Sequence, residues 1–247
     1  MFIDIHTHLD ICKDLDNLVE RAWKKNVKLI LTCGVNVETN RKVLELAEKY
    51  KELKVCLGVY PTDALKLQDD DLKNELKFMR KNKDKFVAIG EVGLDLKESE
   101  ERTLEKQKEN LRKFVLLAKD LNKPVVIHSR RAEKEVIELL EEIGYNRVVM
   151  HCFNGNLKLV QRVVDNGWYL SIPAIVKNSE HFQKVVEMTP IEQLFCETDS
   201  PFLHPDKERN NGPANVVVSY EKIAEIKGLK VKEVEEKIEG NYGKLFK

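Results

Sequence analysis

The chain has 247 residues, 42% of them hydrophobic and 34% charged, a composition that excludes intrinsic disorder and suffices for an α/β domain with its own core. Its 42 Lys and Arg balance 42 Asp and Glu, so the formal net charge of +0 excludes global basicity as a basis for nucleic-acid binding and leaves only local patches. No apolar run approaches the roughly 18 residues of a membrane span, and Met1-Phe2-Ile3-Asp4 lacks the basic start and apolar stretch of a signal peptide, so a soluble, cytoplasmic protein without membrane partners is expected.

Eight short β-branched runs predict strands: Phe2–Ile5, Leu29–Leu31, Val55–Leu57, Phe86–Ile89, Val125–Ile127, Val148–Met150, Trp168–Ser171 and Leu194–Cys196. Charged segments with apolar residues at helical spacing lie between most of them, as in Leu104, Leu111, Phe114, Val115 and Ala118, or Val136, Ile137, Leu140 and Ile143. Asp69-Asp70-Asp71 reads as a helix start, where carboxylates face the positive end of the dipole. Gly144 and Gly167 fall where left-handed helix caps are expected, and Val216–Ile226 and Val231–Ile238 read as two closing helices. No linker-like tract interrupts the chain, so residues 1–247 are expected to form one domain. Cys12, Cys33, Cys56, Cys152 and Cys196 form no Cys-x-x-Cys and read as reduced thiols.

Strand–helix alternation predicts a parallel sheet, either open or closed into a barrel. The polar residues at strand ends choose between the two. His6 and His8 end the first strand on one face, where they can grip a metal ion together or sit as two satisfied polar histidines in a turn. Glu91 and Asp95 follow strand four, His128-Ser129-Arg130 strand five, His151-Cys152 strand six, and Glu197-Thr198-Asp199 strand eight. Carboxyl-terminal strand ends are where α/β proteins build sites. In an open sheet with strands about 4.8 Å apart, the outermost ends would be separated by roughly 30 Å. Closure makes strands one and eight neighbours, so these residues predict a somewhat distorted TIM (β/α)8 barrel.

The ordered motifs Asp4-x-His6-x-His8, Gly90-Glu91-x-Gly93-Leu94-Asp95, His128-Ser129-Arg130, His151-Cys152-Phe153-x-Gly155 and Glu197-Thr198-Asp199-Ser200-Pro201-Phe202-Leu203 closely resemble the TatD family of metal-dependent hydrolases, within the amidohydrolase-like barrels. The resemblance covers essentially the whole chain. It implies two divalent ions per subunit, one held by His6, His8, Glu91 and Asp199, with Glu91 bridging to a second held by His128 and His151. Three positions depart from the family pattern: Tyr60 stands where a histidine is usual, Arg131 where an Asp is common, and Asn154 where a serine is frequent. Four imidazoles and two carboxylates suit Zn, Mn, Co or Ni, whereas the family is often described as dependent on Mg, which prefers oxygen. Asp199 is expected to ligate an ion while shuttling the proton of the attacking water. Asp4 could orient a histidine or make an interior contact, and Glu197 reads as a hydrogen-bonded anchor for Asp199.

Arg130, Lys177, Lys207 and Arg209 are candidates to neutralise substrate phosphate, Arg209 most of all because Arg209-Asn210 before Pro213-Ala214-Asn215 resembles a family segment. His204 lies near enough to the Asp199 loop to touch substrate, while His181, on a polar helix, is expected to be exposed. The leading expectation is phosphoester hydrolysis at DNA ends by an exonuclease-like deoxyribonuclease, the partner being a nucleic-acid end or a small phosphoester. The alternatives are a carboxyl ester or amide hydrolase, such as an aminoacyl-tRNA deacylase, and a catalytically silent metal-dependent binding module.

Overall fold

The computed structural model describes all 247 residues, Met1–Lys247. In chain order they form β1 (Phe2–Thr7), α1 (Leu15–Lys24), β2 (Val27–Cys33), α2 (Val37–Lys49), β3 (Leu53–Leu57), the single turn α3 (Pro61–Ala64), α4 (Asp69–Lys81), β4 (Ala88–Asp95), α5 (Leu104–Leu121) and β5 (Val125–Arg130). The second half continues with α6 (Glu133–Ile143), β6 (Val148–Met150), α7 (Leu157–Asp165), β7 (Tyr169–Pro173), α8 (Glu180–Met188), β8 (Leu194–Glu197), α9 (Val216–Lys227) and α10 (Val231–Phe246). The strands pair in parallel in strict sequence order, the (β/α)8 barrel anticipated from the strand ends. Register shifts between Ile89 and Val92 in β4 and between Asp4 and Thr7 in β1 distort it. No helix is long and apolar enough to cross a membrane.

Closure between β1 and β8 runs through the chain just beyond β8. The His6 carbonyl accepts from Asp199 N–H at 3.0 Å, and His8 N–H donates to the Ser200 carbonyl at 2.6 Å. Between these backbone bonds, the fully buried Asp4 carboxylate accepts from Thr198 N–H at 3.0 Å and from Thr198 Oγ1 at 2.6 Å. Of the two roles expected for Asp4, the structure shows the interior contact: it locks the seam and touches no histidine ring. On the far side of β1, the Tyr220 hydroxyl of α9 bonds both the N–H and the carbonyl of Ile3 at 3.0 Å.

Several elements run longer than their sequence signals. β4 continues through Gly90–Asp95 and β5 through His128–Arg130, because the two strands pair as far as Asp95 opposite Arg130. Gly93 permits that approach: a Cβ there would lie 1.9 Å from the His128 carbonyl oxygen. Gly58 does the same on the other flank, where a Cβ would meet the Glu91 carbonyl oxygen at 2.5 Å. Glu91 and His128 therefore lie within strands rather than after them. α10 passes through Gly240 and Gly243 to Phe246 because Asn241 Nδ2 donates to the carbonyls of Ile191 and Leu194, at 2.8 and 2.9 Å, and Ile238 and Leu245 bury beside it. Helix propensity alone would have stopped it earlier.

Removing the seam carboxylate leaves the buried Thr198 N–H without its acceptor. Asp4→Ala is expected to lower unfolding free energy by about 2–3 kcal/mol, measured by urea denaturation; a change under about 1 kcal/mol would show that closure does not depend on it.

Candidate metal centre

Six side chains, His6, Glu91 and His128 within β1, β4 and β5 and His8, His151 and Asp199 just after β1, β6 and β8, converge at the carboxyl-terminal mouth of the barrel. His6 Nε2 and His8 Nε2 are 3.2 Å apart. His6 Nε2 lies 3.5 Å from Glu91 Oε2 and 3.5 Å from Asp199 Oδ1, and His8 Nε2 lies 3.3 and 3.4 Å from the same two oxygens. The other Glu91 oxygen, Oε1, faces His128 Nδ1 at 2.8 Å and His151 Nε2 at 3.4 Å. His6, His151 and Asp199 also bring one ligand atom each within 4.8 Å of one another.

The spacings among His6, His8, Glu91 and Asp199 match metal ligation better than hydrogen bonding, whereas His128 Nδ1 sits at hydrogen-bond distance from Glu91. Four donors at about 2.0–2.2 Å from a tetrahedral ion are separated along each edge by roughly 3.3–3.6 Å. Five donor–donor separations among His6, His8, Glu91 and Asp199 fall between 3.2 and 3.5 Å. Nitrogen–oxygen hydrogen bonds would be shorter, near 2.9 Å. The residues present therefore fit a divalent cation on chemical and geometric grounds.

Charge in the cluster is compensated rather than solvated. Burial would raise the Glu91 carboxyl, but His151, His128 and His6 outweigh it and hold Glu91 well below the usual carboxylate range. Asp199 is likewise held low against burial, by His8, His151 and His6. Burial disfavours the His8 imidazolium, yet Asp199 and Glu91 lift its pKa to about 10. His6 is lowered, by burial and then by the neighbouring His151.

The remaining ring nitrogens are also occupied. His8 Nδ1 lies 3.3 Å from the Cys33 carbonyl, and His6 Nδ1 lies 3.4 Å from Cys33 Sγ. His151 Nδ1 lies 3.1 Å from both oxygens of Glu197, whose carboxylate also accepts the Ser171 hydroxyl. Glu197 is thus not the anchor of Asp199 expected from the sequence. Its strand register turns it into the barrel interior beneath His151, where it fixes that ring.

Sequence reasoning also missed the roles of Tyr60 and Asp95. Tyr60 Oη donates to Asp95 Oδ2 at 2.5 Å, and His128 Nε2 lies 3.0 Å from the same oxygen, so both clamp His128 with Nδ1 toward Glu91. Burial pushes Asp95 up, but His128, Tyr60 and the Glu98 N–H overcome it and hold the carboxyl far below its ordinary value. The signal was present: Asp95 lies four residues after Glu91 on one strand, hence on the same face.

A cavity of about 680 Å³ opens over the cluster, lined among others by His8, Tyr60, Arg130, Asp199 and Phe202. Of the basic candidates, Arg130 lines it and pairs loosely with Glu98 at 3.6 Å. Lys177 pairs instead with Asp206, and Lys207 and Arg209 are exposed away from the lining. His204 is also absent from the lining, its Nδ1 accepting from Asp206 N–H at 3.1 Å. The loop after Pro201 folds on itself, through Asn211 N–H to the Pro201 carbonyl, and of its residues Phe202 and Leu203 reach the cavity wall. His181, expected to be exposed, is half-buried because its Nε2 packs 3.2 Å from the Phe153 carbonyl.

A parallel (β/α)8 barrel with imidazoles and carboxylates gathered at its mouth defines a metal-dependent hydrolase. Residues 3–247 match the family model described as TatD related DNase. The chain is 37% identical over 257 residues to a human deoxyribonuclease, TATDN3, covering 99% of this chain and 94% of that protein. It is 34% identical to an uncharacterized metal-dependent hydrolase of Methanocaldococcus jannaschii, covering 100% of this chain and 97% of the relative. The crystal structure of a TatD homologue from Escherichia coli superposes with a TM-score of 0.92 at 28% identity, covering 99% of this chain and 97% of that one. The chain belongs to the TatD-related DNase family.

Glu197→Ala removes the acceptor that fixes His151. Affinity for Zn, measured by calorimetry, is expected to fall about 10–100-fold; an unchanged affinity would show that Glu197 does not orient a ligand.

Proposed function

We propose that this chain hydrolyses phosphoester bonds at DNA ends, with two divalent ions, one held by His6, His8, Glu91 and Asp199 and one by Glu91, His128 and His151. The observation that carries this reading is the division of the Glu91 carboxylate, Oε2 toward His6 and His8 and Oε1 toward His128 and His151. A carboxylate shared between two imidazole pairs is the geometry of a bridging ligand. When bound, divalent ions at such a pair of sites lower the pKa of water and polarise the phosphoryl oxygens.

Asp199 is the proton carrier in this reading. Its Oδ1 faces both imidazoles, its side chain is 16% exposed and it lines the cavity, whereas Glu91 is only 3% exposed. The water oxygen joins phosphorus, the ester phosphorus–oxygen bond breaks, and the water proton passes through Asp199 to the departing oxygen. Arg130 is the cationic side chain nearest this chemistry and is free to exchange its loose Glu98 contact for a phosphate. A cavity of about 680 Å³ suits a strand end better than the middle of a duplex, which supports exonuclease-like action. The deoxyribonuclease name of the human relative supports DNA as the polymer.

End-labelled single-stranded DNA incubated with Zn, Mn, Mg, Co or Ni is expected to shorten stepwise, with chelation stopping the reaction and added ion restoring it. No cleavage with any ion would remove this substrate class. Asp199→Asn is expected to cut turnover by about 10²–10⁴-fold while the melting temperature is retained; near wild-type turnover in the metal-loaded variant would remove Asp199 from the proton path.

A further inference from the structure

Six large apolar residues of this chain are strongly exposed, and two of them, Ile11 and Phe202, each 52% exposed, line the cavity over the ligand cluster. The other four, Trp23, Val37, Leu116 and Leu157, do not. A single exposed apolar side chain needs no explanation, but a phenyl ring held at the mouth of a polar site does. Its position is fixed from both directions. Phe202 N–H donates to the Asp199 carbonyl at 2.8 Å, so the ring is carried on the same turn as the candidate proton carrier. Its centroid lies 6.1 Å from that of His8, with the planes at 64°. The two rings thus meet in an edge-to-face arrangement, while about half of Phe202 remains exposed.

Resting on the phosphodiester reading above, we propose that Phe202 is a stacking platform for the nucleobase of the terminal nucleotide, with Ile11 extending the apolar wall. A base is a planar, weakly polar group, and an exposed aromatic face beside a phosphate-sized polar site fits it better than it fits a sugar or a second phosphate. Stacking is blind to base identity, because every base has a π-face, so the platform selects for the presence of a base with a free face rather than for sequence. Inside a strand or duplex both faces of a base are covered by its neighbours, and a free face is left at an end. Recognition by Phe202 therefore directs the site to strand ends.

Two single-stranded oligonucleotides that differ only in the terminal nucleotide, one base-bearing and one carrying a tetrahydrofuran abasic residue, separate this proposal from the reading beneath it. Wild-type protein loaded with Mn is expected to favour the base-bearing end by about 5- to 150-fold in kcat/KM. In Phe202→Ala the preference is expected to collapse toward one through a raised KM for the base-bearing end, and Phe202→Tyr is expected to restore it. Equal preference in wild type and Phe202→Ala would overturn the platform. If wild type cleaves neither end, the phosphodiester reading fails instead, and binding still decides the platform. A terminal 2-aminopurine should be quenched by Asp199→Asn protein and not by the Asp199→Asn, Phe202→Ala double variant, whereas equal quenching by both would overturn it.

Discussion

Everything at the mouth of this barrel depends on the seam between β1 and the chain leaving β8. His6 lies in the first strand and His8 just past its end, and Asp199 lies some 190 residues later, so no local interaction can bring them together. Two backbone bonds and the Asp4–Thr198 pair do so. The seam spaces the candidate ligands as well as joining the sheet edges. The N–H of Asp199 is itself one of the closing donors, and the backbone of Asp199 sits at a φ of 54°, a left-handed conformation that non-glycine residues rarely adopt. Strain of that kind persists when surrounding contacts over-determine it, and here they hold the carboxylate against both imidazoles.

Burying so many ionisable groups in one place is tolerable because each one faces an opposite charge or a hydrogen-bond partner. Glu91 is the centre of this compensation, with imidazoles on both sides of its carboxylate. Around that centre lies a supporting ring: Cys33 behind His6 and His8, Glu197 and Ser171 behind His151, Asp95 and Tyr60 behind His128. The tyrosine is the most informative of these. Where the resembled family usually carries a histidine, this chain has a hydroxyl that bonds Asp95 and approaches His128, so the departure keeps a polar contact with the ligand sphere while changing its chemistry. A tyrosine at this position is bulkier and keeps its proton, since burial and Asp95 push its ionisation far above the ordinary phenol range.

The rim completes the division of labour. Backbone close approach at Gly58 and Gly93 packs the strands under the site tightly, whereas the segment from Pro201 to Asn211 forms a self-bonded loop carrying Phe202 at the opening. Recognition elements on loops above a rigid strand-end site are the usual arrangement in barrels of this kind. The neutral overall charge is consistent with it: the cavity lining carries one Lys or Arg side chain, Arg130, rather than a basic surface.

The sequence by itself determined the eight strands, their alternation with helices and the polar residues at strand ends, because apolar periodicity and polar strand ends are local signals, and the resemblance to the TatD family narrowed those residues to six ligand candidates. The barrel followed from asking how His6 and Asp199 could meet. What the sequence left undecided were contacts made across elements. Asp4 read as either a support for a histidine or an interior contact and Glu197 as an anchor for Asp199, and strand register sends Asp4 to Thr198 and Glu197 to His151. Arg209 was a candidate through a family-like segment and His204 through its nearness to the Asp199 loop, but neither lines the cavity, whereas Phe202, quoted only as part of a motif, is held at its mouth. Register, loop closure and the direction of a side chain depend on partners far away in the chain, and only the tertiary structure supplies those partners.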